Sequence, residues 1–106
     1  MKEATPKMVG IAAEIVEERQ RQVEKWGEQH HPDGVPATLE EVNKAKYDCA
    51  EAGNTTGVLT WRQILDEEIA EAYYEIGADE EKLRVELLQV AAVCAAWAED
   101  IDSRKK

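Results

Sequence analysis

Leu83, Leu87, Val90, Cys94, Trp97 and Ile101 follow one another at alternating steps of four and three. That spacing puts six apolar side chains on one stripe of a helix about five turns long, the pattern of a bundle seam. Nowhere does apolar character alternate with the period of two that a strand needs. There is no internal repeat and no low-complexity tract. The expected fold class is all-α, a four-helix bundle formed by one domain over residues 1–106.

Glycines, prolines and threonines divide the rest. Thr5-Pro6 is a helix start, a hydroxyl cap followed by a residue whose missing N–H costs nothing at the first position. The first helix is expected over 6–26, ending where Gly27 can turn left-handed. Met8, Ile11, Ile15, Val23 and Trp26 recur on it at helical spacing, interrupted by Glu18, Arg19 and Gln22. A loop dense in turn formers follows, His30 to Pro36. Thr38 and Glu41 form a capping box that opens a second, weakly apolar helix over 39–52. Gly53 to Gly57 reads as a flexible loop. Thr60 and Gln63 repeat the capping box and open a third helix over 61–76, and Asp79 can cap a fourth over 80–102.

The charge narrows the partners. Asp and Glu number 23 against 13 Lys and Arg, a formal net charge of -10. Such a surface repels nucleic acid polymers and anionic membranes. A small anion remains possible if a divalent cation stands between its phosphates and the carboxylates. Cys49 and Cys94 have neither disulfide nor metal-type spacing. Cys94 lies within the apolar stripe, where a buried free thiol is expected. The N-terminal segment has no apolar core of the signal-peptide kind, and the most apolar stretch, Leu87 to Ala98, is shorter than the ~20 residues of a membrane span. A cytoplasmic protein is the expectation.

The third helix carries Asp66-Glu67-Glu68-Ile69-Ala70-Glu71 and the fourth carries Glu86-Leu87-Leu88-Gln89. Glu68 and Glu71, three residues apart, project from one side. Glu68 also falls on the stripe of Trp61, Leu65, Ala72 and Ile76, and Glu86 sits at the edge of the seam. Acids turned inward need neutralising, by Arg or Lys or by a metal ion. Arg62 and Arg84 fall on outer positions, which favours the metal. Magnesium accepts a few carboxylates together with water and phosphate oxygens. The plain alternative is a solvated acidic face, as Glu40, Glu41, Glu51, Glu80 and Glu81 are expected to be.

Taken together, these elements resemble the MazG-like all-α nucleoside triphosphate pyrophosphohydrolases. Glu67, Glu68 and Glu71 match an E-E-x-x-E element, and Glu86 matches the first residue of a following E-x-x-D after 14 intervening residues, 72 to 85. Glu18 to Gln22, Lys25 to Gln29, His31 to Gly34, Thr60-Trp61, Ile64-Leu65 and Glu86 to Val93 look like a phage and actinobacterial branch of that family. The resemblance implies conversion of a (d)NTP and water to the monophosphate and pyrophosphate, with Glu68, Glu71 and Glu86 holding magnesium, or manganese in its place. It implies Glu67 as a base or outer contact, and a homo-oligomer, dimer or tetramer. Gln89 replaces the family's aspartate. Its amide is neutral and no base, so it coordinates the metal weakly, contacts the nucleotide, or marks a binder without catalysis. Related activities on dUTP, dCTP or phosphoribosyl-ATP, and a non-catalytic nucleotide-binding or interaction protein, are the alternatives.

Trp26 could stack on a base and Lys25 meet phosphate, against the plainer reading of a finished hydrophobic face and a solvated amine. His30 and His31, adjacent in sequence, read as loop surface. Trp97 is expected in the core or a dimer contact, Trp61 as the anchor of its helix start, and Tyr73 and Tyr74 at an interface.

Overall fold

The computed structural model describes residues 3–105, and residues 55 and 56 by backbone only. It is all-helical: α1 (Pro6–Trp26), α2 (Leu39–Glu51), a π-helical turn (Ala52–Thr56), α3 (Trp61–Tyr74) and α4 (Glu80–Ser103). No strand occurs among the described residues, and no helix is long and apolar enough to cross a membrane.

Each helix starts where a side chain can satisfy free backbone N–H groups. The Thr5 hydroxyl accepts from Met8 N at 3.2 Å. At α2 the Thr38 hydroxyl accepts from Glu41 N at 3.1 Å, and Glu41 Oε2 accepts from Thr38 N at 3.0 Å. Thr60 and Gln63 make the same reciprocal pair at α3, 3.3 and 3.0 Å. Asp79 Oδ1 accepts from Lys82 N at 3.0 Å to open α4. Each such cap is worth about 1 kcal/mol. Gly27 ends α1 at φ 70°, although its ψ of -164° lies outside the left-handed helical well.

The chain forms two compact units. One comprises α1 and the chain from Ala95 onward, and its buried apolar side chain is Ile11. The other spans Asp33–Cys94 and buries Val42, Ala52, Ala72 and Leu83. Here α2 packs on α3. Val42, Ala45, Cys49 and Ala52, at steps of three, four and three, are all buried or half-buried. The approach to α2 is tied to the end of α3 by Ala37 N–H, which donates to the Tyr73 carbonyl at 3.0 Å.

Several expectations are corrected. Residues 53–57 are not an open loop: α2 widens into a π turn over Ala52–Thr56, closed by Gly57 at φ 69°, ψ 7°. Glycine relieves the left-handed residue of its Cβ penalty. Cys94 is exposed rather than buried. The α4 stripe is covered along one flank only: Val90 and Trp97 are half-buried, while Leu87, Cys94 and Ile101 are exposed. Periodicity places residues on one face but does not say how much of that face a neighbour reaches. Helix α3 ends at Tyr74, two residues early, because residues 75–78 tighten into a turn in which Ile76 N donates to Tyr73 O and Ala78 N to Glu75 O. Trp61 is half-buried at the start of α3, whereas Tyr73 and Tyr74 are exposed.

Ala72 has 0% of its surface exposed, the tightest position in the chain as described. Ala72→Leu should therefore lower stability by about 1–3 kcal/mol through overpacking. Thermal unfolding followed by circular dichroism measures this, and an unchanged midpoint would mean the site has room to spare.

Candidate functional site

Four of the singled-out residues lie on two facing helices of the second unit. Glu68 and Glu71 stand three apart on α3, and Glu86 and Gln89 three apart on α4, so each pair projects from one side of its helix. The connection over residues 75–79 is short, as between antiparallel neighbours. Its first turn keeps Glu75 N on Ala72 O and its last returns Asp79 N to Glu75 O. Glu68, Glu71 and Glu86 are half-buried, and one carboxylate oxygen of each lies within 4.8 Å of those of the other two.

No ion pair offsets this. Among the described residues none of the three carboxylates forms an ion pair; the pairs formed are Arg21–Glu18, Lys44–Asp48, Arg62–Asp66, Arg104–Asp100 and Lys105–Asp102, with a His30–Glu28 contact. Arg62 and Arg84 are exposed, on the outer positions expected of them. Burial, then the neighbouring Glu86 and Glu67, raise the Glu68 pKa above the usual carboxylate value. Glu71 is raised by burial and by Glu68, Glu67 and Glu86, against a weaker opposing influence from Lys46.

Gln89 joins the cluster through its amide. With the nitrogen turned inward it donates to Glu86 Oε2 at 3.1 Å and to Glu68 Oε2 at 3.2 Å; turned the other way, its oxygen faces only acceptors. The nitrogen-inward arrangement is the favourable one for the protein alone, since it places donors between like charges.

The donor set suits a hard divalent cation. Ligand oxygens on opposite sides of magnesium are about 4.2 Å apart, given bonds of about 2.1 Å. Carboxylates spread over 4.8 Å need close in only slightly. Their mutual repulsion and missing counter-charge are what such an ion relieves.

Glu67 stands outside this trio. Its carboxyl interacts with the Cys49 thiol on α2, which also donates to the Gln63 carbonyl at 3.0 Å. Burial, then Glu67, pushes the Cys49 pKa up to about 12, so the group stays a neutral thiol at pH 7. This contact was not foreseen. The steps of three, four and three through Val42, Ala45, Cys49 and Ala52 are the signal that puts Cys49 on the face turned to α3.

Lys25 and Trp26 end α1 in the first unit, and there they meet each other: Lys25 Nζ lies 4.9 Å from the centre of the Trp26 ring, a cation–π contact. Trp26 is exposed. His30 and His31 are exposed, as a loop surface would have them.

A groove of about 840 Å³ runs along α2 and α3, lined in part by Lys44, Asp48, Arg62, Gln63 and Asp66. Asp66 is roughly 200° around the helix from Glu68, so the groove and the trio occupy different faces of α3. The groove's cations already have carboxylate partners, Asp48 and Asp66, whereas the trio has no cation. The unbalanced charge marks the trio as the candidate site.

Comparison with protein-family models, with curated proteins and with solved structures found no match to this chain.

Raised carboxyl pKa values mean that the folded chain keeps these protons to higher pH than the unfolded chain does. The stability they confer is complete below the ordinary value of 4.5 and is lost as pH rises through the raised values. In metal-free buffer, Glu68→Gln/Glu71→Gln should therefore gain on wild type in melting temperature as pH rises above the ordinary carboxylate value of 4.5. Parallel pH profiles for the two proteins would contradict the clustering.

Proposed function

We propose that this protein is a magnesium-dependent nucleoside triphosphate pyrophosphohydrolase of the MazG-like kind, with its metal centre at Glu68, Glu71 and Glu86. The observation that carries the reading is the trio itself, three half-buried carboxylates converging from two helices with no basic partner. The E-E-x-x-E element over Glu67–Glu71 and the following Glu86, at a spacing similar to that family's, support it from the sequence. A four-helix arrangement of the MazG-like type and self-association belong to the same reading.

Bound there, magnesium would neutralise phosphate charge and raise the acidity of a coordinated water. The residues' tasks follow from their positions. Glu68 and Glu71 hold the cation from α3 and Glu86 from α4. Gln89, hydrogen-bonded to Glu86 and Glu68 in one amide orientation, steadies those two carboxylates, and its oxygen can turn inward when positive charge sits between them. Glu67, whose carboxyl meets the Cys49 thiol beside the trio, serves as base or outer contact. Lys25 and Trp26 are proposed as nucleotide contacts, the ring by stacking on a base and the amine by meeting phosphate.

A second reading, nucleotide binding without turnover, rests on Gln89. An amide that donates to two of the three carboxylates ties up lone pairs that a fourth acid would have left for metal or water.

Pyrophosphate release measured across a panel of NTPs and dNTPs, with and without magnesium, separates the two. Wild type should turn over at least one triphosphate only when magnesium is present. Glu71→Gln and Glu86→Gln should each lower that rate roughly 100-fold or more. Gln89→Asp should keep or tighten metal binding. If magnesium and nucleotide raise the melting temperature yet no triphosphate is cleaved, the binder reading replaces the enzyme. If they leave it unmoved, the site itself is misplaced.

A further inference from the structure

The stripe of α2 that runs through Val42, Ala45, Cys49 and Ala52 is buried or half-buried, and α2 packs on α3. Three of these four side chains have no hydrogen-bonding group, so packing by itself asks only for small apolar residues there. Cys49 adds a donor that the close approach of two helices does not need. Its Sγ lies 3.0 Å from the Gln63 carbonyl oxygen, and its thiol also meets the Glu67 carboxyl, one turn further along α3. The two acceptors are themselves linked, because at helical pitch the Glu67 N–H donates to the Gln63 carbonyl. Cys49 thus grips one turn of α3 at its backbone and at the side chain that follows.

Nothing in α3 alone settles where Glu67 points. Glu67 and Glu71 are four residues apart, a spacing at which two side chains on a helix are neighbours. The Glu67 charge reaches both Glu68 and Glu71, whose pKa values it helps to raise. Even so, Glu67 is not one of the carboxylates that converge within 4.8 Å. The difference is made from α2. We propose that Cys49 is a positioning residue, whose thiol holds the half-buried Glu67 carboxyl to the α2 side of the cluster, placed as a base or outer contact and kept out of the metal's own ligand set. What Glu67 does there rests on the pyrophosphohydrolase reading; how it is held rests on the contact between the two helices. Released from the thiol, Glu67 would bring a fourth carboxylate toward the cation. It would then cancel positive charge that phosphate and a bound water need.

Steady-state pyrophosphate release by the whole chain with magnesium, in Cys49→Ala and Cys49→Ser, tests this. Cys49→Ala should lower kcat roughly 10-fold or more and leave KM near wild type, as a misaimed base does. Cys49→Ser keeps a donor and should recover most of that loss, to within about threefold of wild type. Packing alone predicts the opposite order, since alanine suits an apolar face better than a hydroxyl does. Equal losses, a serine variant worse than alanine, or an alanine variant as active as wild type overturns the proposal. If wild type cleaves no triphosphate, the pyrophosphohydrolase reading falls by itself, and carbon-13 NMR of the Glu67 carboxyl in metal-free protein decides the positioning. That resonance should move in Cys49→Ala and return toward its wild-type position in Cys49→Ser. A resonance that stays put in Cys49→Ala, or moves alike in both variants, shows that the thiol does not hold Glu67 and overturns the assignment.

Discussion

Repulsion among Glu68, Glu71 and Glu86 is the force the second unit has to contain. Three carboxylates within 4.8 Å, half out of water and without a basic partner, would move apart if the backbone allowed it. The restraint is local and lies in how α3 and α4 begin and are joined. Reciprocal hydrogen bonds between Thr60 and Gln63 set the start of α3, Asp79 sets the start of α4, and the hydrogen-bonded turn of residues 75–79 fixes the register between them. Gln89 relieves part of the strain by placing amide hydrogens between two of the acids. Burial, and after it the neighbouring carboxylates, still raise the Glu68 and Glu71 pKa values, and relief of that cost is what would become binding energy for a cation.

Helix packing supplies less restraint than the caps do. Among the described residues the buried apolar ones are Ile11, Val42, Ala52, Ala72 and Leu83, of which two are alanines. Small residues at the closest approaches let helices come near but bury little area per contact, and a chain of this length has limited apolar surface to enclose in any case. The same shortage explains why apolar side chains remain in water on α1 and along one flank of α4. A core this thin leaves stability dependent on capping, on the charge state of the acids and on whatever covers the open faces.

Much of the secondary structure was legible in advance because its causes are short-range. The caps at Thr5, Thr38, Thr60 and Asp79 act over three residues, and they fall where the spacing of Thr, Glu, Gln and Asp places them. The pairing of Glu68 with Glu71 is equally local, a consequence of helical pitch. The misreadings lie where two distant parts of the chain must meet. Cys94 follows the seam's period, yet its side chain is exposed. The glycines around Asn54 signal a loop, yet the backbone continues from α2 into a π turn.

By itself, then, the sequence determined where the described helices start, the lack of a strand pattern among the described residues, the excess of negative charge, and the facts that Glu68 and Glu71 share a side of one helix and Glu86 and Gln89 of another. Only the tertiary structure decided that these two sides confront each other, that Glu67 turns to Cys49 instead of into the trio, and that Met8, Ile15, Val16 and Val23 of α1 are exposed while Ile11 is buried. The division has one physical reason. Capping and periodicity depend on residues within a turn or two of each other, whereas burial and electrostatic environment depend on which surfaces meet, and a one-dimensional pattern names the surfaces without choosing their neighbours.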